Sequence, residues 1–173
     1  LEAYQSKTDD LKLVCDGYMD QIKTRIKKVK IGELLTDVDC RNVDLAIQSV
    51  SGINIDKIFM ESVADANGLD LKKYKVVHKN DFAFSGMQTG RDESIRIALN
   101  SDAIPKIVSP AYTVFKVATD NVLEQYIMLW FSRKEIDRYG WFASDGSIRS
   151  NLDIERFNEI EIPLPNVDIQ KSI

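Results

Sequence analysis

The segment Ile160 to Ile173, IEIPLPNVDIQKSI, constrains the fold more than any other stretch of the chain. Ile160, Ile162 and Leu164 alternate with Glu161 and Pro163, the period of a half-buried strand. Pro163 and Pro165 lack the N–H that an interior ladder needs, so this strand must lie at a sheet edge or at its own end. Asn166 or Asp168 can then open a helix through Val167, Ile169, Gln170 and Ile173.

The other end of the chain has a different texture. Residues 1–28 contain no proline and a single glycine, Gly17. Leu1, Thr8, Cys15, Ile22 and Val29 fall seven apart, as do Tyr4, Leu11, Tyr18 and Arg25. That a/d stripe predicts a long helix with a narrow apolar seam, made imperfect by Thr8 and Arg25. At 1.5 Å per residue it would span roughly 40 Å. The seam can dock either on the chain's own body or on a partner helix. A chain that opens inside one helix and closes at the start of another is expected to belong to something longer.

Between these ends the pattern is that of an α+β fold, a mixed twisted sheet with polar loops and packed helices. Ile31, Leu34 and Leu35 suit a short helical turn. Residues 43–50 fit either helix or strand, and the segments around Ile53 and Phe59 read as strands. Residues 62–73 are polar, a loop or short helix. Tyr74–His78 and Asp81–Ser85 read as strands joined at Lys79-Asn80, and Ile95, Ile97 and Leu99 alternate as another. Tyr112–Val117 is β-branched and aromatic on both faces, so it should be a central strand covered on both sides. Asp120 or Asn121 can cap a helix that turns Val122, Tyr126, Ile127, Trp130 and Phe131 inward, and Asn151 or Asp153 can cap a short one holding Ile154 and Phe157.

Catalytic chemistry is hard to assemble from these residues. His78 is the single histidine, and Cys15 and Cys40 lie far apart, so no zinc site of ordinary spacing exists and a disulfide is not expected. No phosphate-binding loop, dinucleotide fingerprint or nucleophile elbow occurs. No apolar run approaches a membrane span. A reduced, cytoplasmic setting is expected.

What stands out is polar loops at strand ends. Ser85-Gly86-Met87-Gln88-Thr89-Gly90-Arg91 carries an amide suited to adenine and a guanidinium suited to guanine or phosphate. Residues 144–151, with Ser147, Arg149 and Asn151, offer the same chemistry just before a helix. Arg41 and Asn42 form a third candidate. Tyr139, Trp141 and Phe142 are expected to buttress the second loop. The net charge of −4 sits awkwardly with nucleic-acid binding. Lys23, Arg25, Lys27, Lys28 and Lys30 nevertheless form a run without an acid, and Lys27 and Lys28 are candidate phosphate contacts.

Several phrases, in order, resemble the target recognition domain of type I restriction-modification specificity subunits. Lys30-Ile31-Gly32-Glu33 resembles its opening, Asn80 to Ser85 with Gly90-Arg91 its Gly-Asp-x-x-x-Ser-x-x-Gly stretch, and Val108 to Phe115 a later strand preceded by serine. Gln125-Tyr126-Ile127 and Gly146 to Leu152 match its later helix openings. Ile162, Pro163, Leu164, Pro165 and Gln170 match its closing Ile-Pro-x-Pro-x-x-x-x-Gln signature, whereas Asn166, Asp168 and Ile169 depart from it. The resemblance implies a spacer helix over residues 1–28, a recognition domain over 29–165 and the start of a second spacer helix over 166–173. It further implies a non-catalytic subunit that reads half of a split site in double-stranded DNA. Modification subunits using S-adenosylmethionine and a restriction subunit using ATP would be its partners. DNA-binding residues would be Arg41, Asn42, Ser85, Gln88, Thr89, Arg91, Ser147, Arg149, Asn151, Lys27 and Lys28. Two other readings stand beside it: the recognition part of a fused methyltransferase-nuclease, and a protein-interaction module that docks through the heptad helix.

Overall fold

Phe82-Ala83-Phe84-Ser85 alternates large and small side chains, and that alternation separates the two apolar clusters on either face of the central sheet. The computed structural model describes residues 2–62, 68–87, 89–145 and 151–173. A long helix, α1 (Glu2–Arg25), leads through strand β1 (Lys28–Lys30) and a 3-10 turn (Ile31–Glu33) into β2 (Leu35–Asp37). The hairpin β3 (Ser51–Ile53) and β4 (Phe59–Glu61) follows, then a 3-10 turn (Leu71–Lys73), β5 (Lys75–Val77) and β6 (Phe82–Ser85). The single-turn helix α2 (Thr89–Asp92) precedes β7 (Arg96–Leu99), β8 (Lys106–Val108) and β9 (Thr113–Val117). Helices α3 (Glu124–Phe131), α4 (Lys134–Ala143) and α5 (Ile154–Asn158), strand β10 (Glu161–Pro163) and helix α6 (Val167–Ser172) complete the chain.

The central sheet has the order β2-β9-β6-β7. Phe82, Phe84, Ile97 and Phe115 point from one face into the larger core, with Phe131 and Phe157 from the helices. Phe157 stacks on Phe84 with ring centroids 4.2 Å apart. Ala83, Ala98 and Val114 point the other way, against Ile53, Val77 and Val108 of the small sheets β3-β4 and β5-β8. Strand β9 is thus inner and covered on both faces, as its composition predicts.

Two expectations are revised, and two points that the sequence left open are settled. Every ladder among the described residues is antiparallel, and a parallel pairing survives as one bridge, Val50 to Ile107, so the sheet is not mixed in the sense expected. Strands β5 and β6 follow each other but do not pair: β5 pairs with β8, and β6 with β7 and β9. Asp120 and Asn121 do not cap α3. Its N-cap position is Leu123, whose N–H donates to Gln170 Oε1 at 2.9 Å from the far end of the chain. Finally, Leu11 (66% exposed) and Tyr18 of the expected seam face solvent, and the face of α1 that docks on the body carries fully buried Met19.

The closing strand behaves as its prolines require. β10 pairs with β1 alone, in the register Lys28↔Pro163 to Lys30↔Glu161. The Asn166 side chain accepts from Ile169 N and caps α6, and Asp153 caps α5 in the same way through Arg156 N.

Candidate nucleic-acid interface

Two of the three polar loops meet. Leu152 N–H donates to Gly86 O at 2.9 Å, and a Cβ built on Gly86 would lie 1.7 Å from Leu152 O. No side chain fits there, so glycine is what lets the start of the first loop touch the end of the second. The second loop is drawn closed at its base, where Asp145 N donates to Asn151 O at 2.8 Å and Asn151 N to Asp145 Oδ1 at 3.0 Å. Behind the first loop, α2 packs on α4, where Gly140 leaves room for Ile95 and Thr89.

The proposed contact residues divide sharply by burial. Asn42 is 1% exposed: its Nδ2 donates to Ile47 O at 2.8 Å and its Oδ1 accepts from Ile47 N at 3.2 Å, so it pins the 42–47 loop. Thr89 is fully buried with Oγ1 on Gly86 O at 3.0 Å, and Ser85 is buried within β6. These three side chains are buried within their own segments rather than presented at the surface, as a base contact would need. Arg41 is half-buried and committed to Asp39 Oδ1 at 2.5 Å and to Lys73 O at 2.6 Å. Arg91 is exposed, with Nε on Asp92 Oδ1 at 2.9 Å. Asn151 is half-buried, at the closed base of its loop. Gln88, Ser147 and Arg149 lie outside the described residues.

Lys27 and Lys28 are exposed; Lys28 lies in β1 opposite Pro163 of β10, and Lys27 O accepts the Leu164 N–H beside it. Lys28 lines a cavity of about 340 Å³ together with Glu135, Glu159 and Glu161, a mixed-charge setting rather than an electropositive track.

A polar network that the sequence did not single out ties the first loop to the β3–β4 hairpin. Asp92 receives Arg91 on one carboxylate oxygen and Arg96 on the other, and Arg96 Nη1 reaches Ile53 O at 3.4 Å. Burial pushes the Asp92 carboxyl up in pKa, but the hydrogen bonds and charges of the two guanidiniums outweigh this and hold it below its ordinary value. Lys57 is buried, with Nζ on Asp137 Oδ1 and Ile95 O, both at 2.7 Å, and on Ser94 Oγ at 3.2 Å. Nothing in a local pattern marks Lys57 as an inward residue, because its partners lie 37 to 80 residues away. The one local hint is its backbone, left-handed at φ 63°.

The aromatic residues expected to buttress the second loop are described, but residues 146–150 of that loop lie outside the described residues. Tyr139, Trp141 and Phe142 are exposed, Phe142 by 86%, at the C-terminal end of α4. Among the described residues no cluster of histidine, cysteine, aspartate or glutamate could hold a metal ion, and no helix is long and apolar enough to cross a membrane.

No protein-family model and no curated protein sequence matches the chain. Solved structures do. The S subunit of a type I restriction-modification system from M. genitalium aligns at TM-score 0.60 and 14% identity, over 98% of this chain and 47% of that one. A structure describing complex assembly and conformational transition of the type I R-M system aligns at TM-score 0.50 and 9% identity, over 99% of this chain and 47% of that one. The chain therefore has the fold of these S subunits, and it spans a little under half of their length.

Proposed function

We propose that the chain is a target recognition half of a type I restriction-modification specificity subunit and reads one half of a bipartite site in duplex DNA. The observation that carries this reading is the joint at Gly86 and Leu152, which brings two independently recognised polar loops together on a chain with the S-subunit fold. In this reading polar side chains of residues 86–91, apart from buried Thr89, and of residues 146–150 address base edges, and lysines and arginines on phosphates set the register. The buried Asn42, Ser85 and Thr89 hold the loops and read nothing. Helix α1 acts as a spacer, comparable in length to one turn of DNA at about 34 Å. The chain itself is non-catalytic and acts in the cytoplasm; methyl transfer from S-adenosylmethionine and ATP-driven cleavage belong to separate modification and restriction subunits.

The test is selection of bound duplexes from a random pool by the chain assembled with its modification subunits. Enrichment of one short motif at a fixed position supports the reading. Retention of DNA without any enriched motif, from an intact assembly, overturns it.

A second reading has its own observation. Leu11, Leu13, Val14 and Tyr18 are exposed apolar residues on α1, whereas Met19 is buried. A protein-interaction module would use these exposed residues, and would associate with its partner equally well after both polar loops are replaced by glycine-serine linkers.

A further inference from the structure

The tip of the β3–β4 hairpin inverts the usual order of burial. Ile55 and Ile58 are 58% and 61% exposed, while Lys57 between them is 8% exposed and inserted into the body. Solvent alone selects the reverse arrangement, because an ammonium loses hydration on burial and isoleucine gains by it. Several contacts fix the inverted tip. Lys57 Nζ bonds Asp137 on α4 and the Ile95 carbonyl, Ser94 Oγ donates to Ile55 O at 3.3 Å, and Arg96 reaches Ile53 O. Asp137 Oδ1 also accepts from Ile95 N at 2.9 Å, so one carboxylate oxygen holds both the hairpin and the segment that follows α2. A buried ion pair of this kind adds little net stability over apolar packing, and what it supplies here is the geometry it imposes.

That geometry sets the hairpin tip beside the loop that carries Arg91, through the chain Arg91, Asp92, Arg96 and Ile53 O. We propose that residues 54–58 form a third base-reading element, and that Lys57 is the positioning residue that keeps it in register with the first loop. The tip offers two exposed branched alkyl groups, suited to the methyl group of thymine. It also offers the exposed carboxylate of Asp56, an acceptor for the amino group of cytosine. The inference rests on the DNA-reading function proposed above, and its positional half can be tested without DNA.

The experiment uses the full chain and two kinds of variant. Lys57→Met should raise amide exchange across 53–60 and 92–97 by about tenfold or more while leaving 113–117 protected. Asp56→Asn and Ile58→Ala, both on the surface, should leave exchange unchanged. On the selected duplex against a scrambled duplex of equal length, all three variants should lower discrimination about tenfold, with affinity for the scrambled duplex unchanged. Unchanged exchange in Lys57→Met overturns the positioning role. Unchanged discrimination in both tip variants overturns the reading role, and these variants decide it even if Lys57→Met does not fold. If the wild-type chain selects no motif at all, the function proposed above fails together with the reading role, and the exchange measurement still decides what Lys57 does.

Discussion

Gln170 Oε1 accepts the backbone N–H of Leu123 at 2.9 Å, so a residue of the last helix closes the N-terminus of α3. Its Nε2 donates to Asn121 O and to Pro165 O, both at 2.8 Å. The neighbouring carbonyl of Pro163 accepts the Tyr126 hydroxyl at 2.6 Å, and burial of that phenol pushes its pKa up. The closing Ile-Pro-x-Pro-x-x-x-x-Gln phrase is therefore a clasp: its prolines end the strand, and its glutamine satisfies backbone groups that helix α3 and the turn after β10 would otherwise leave open. Gln170→Leu removes one acceptor and two donors from a buried position. It should cost roughly 1–3 kcal/mol, read as a lower urea midpoint at unchanged m-value. Gln170→Glu keeps the acceptor but sets a carboxylate against two carbonyls, and should be no better.

The two glycines behind the loops should respond differently. At Gly86 an added Cβ meets backbone, Leu152 O at 1.7 Å, and one of two chain segments must move. At Gly140 it meets the buried Ile95 side chain, Cγ1 at 2.4 Å and Cδ1 at 2.6 Å, so a side chain rather than backbone must shift, and alanine gains about 1 kcal/mol of helix propensity within α4. Gly86→Ala should therefore fall at the upper end of the roughly 1–3 kcal/mol range for overpacking, and Gly140→Ala lower by about the propensity gained. Thermal melts of both variants at one protein concentration test the order; equal losses would contradict it.

Acid should release the Asp92 contribution. Its carboxyl lies below the ordinary 3.8 in the folded chain because Arg91 and Arg96 favour the charged form. The sign follows: the stabilisation is complete above the unfolded value and is lost as pH falls through the lower folded value. Asp92→Asn should thus be less stable than wild type at neutral pH and lose less stability between about pH 5 and pH 2. Parallel slopes of stability against pH in that window would remove Asp92 from the account.

Base and phosphate contacts should separate in binding. Arg149→Ala or Gln88→Ala should cost about 1–3 kcal/mol on the selected half-site and relax its specificity, with little change on scrambled DNA. Lys27 and Lys28 are exposed beside the β1–β10 pair, and Lys28 borders Glu135, Glu159 and Glu161. If they nevertheless sit on phosphates, replacing both by alanine will flatten the salt dependence of binding by about two contacts, whatever the sequence. An unchanged slope would assign them to the β1–β10 edge alone.

Much of the molecule is legible along the chain. Asp153 and Asn166 cap the helices that follow them because a cap needs only an acceptor and an amide three residues on. Pro163 confines β10 to a ladder with one partner because a missing N–H is a local fact. The alternation in β6 and the two-sided composition of β9 set their faces, since side-chain direction in a strand depends on the residue's place and nothing further away.

Pairing and burial are of another kind. That β5 pairs with β8 rather than with β6 is decided by which hydrophobic faces find cover, a property of all the strands at once. Asn42, Ser85 and Thr89 look like reading groups in a linear sequence, and they are buried, Asn42 by the loop it pins, Ser85 within β6 and Thr89 where α2 packs on α4. Gln170 finds Leu123 at 47 residues' distance, and Lys57 finds Asp137 at 80. The sequence by itself determined many of the elements, the caps of α5 and α6 and the edge, because these depend on neighbours within a turn. Only the tertiary structure decided which polar groups face solvent, because desolvation depends on every segment that packs around them.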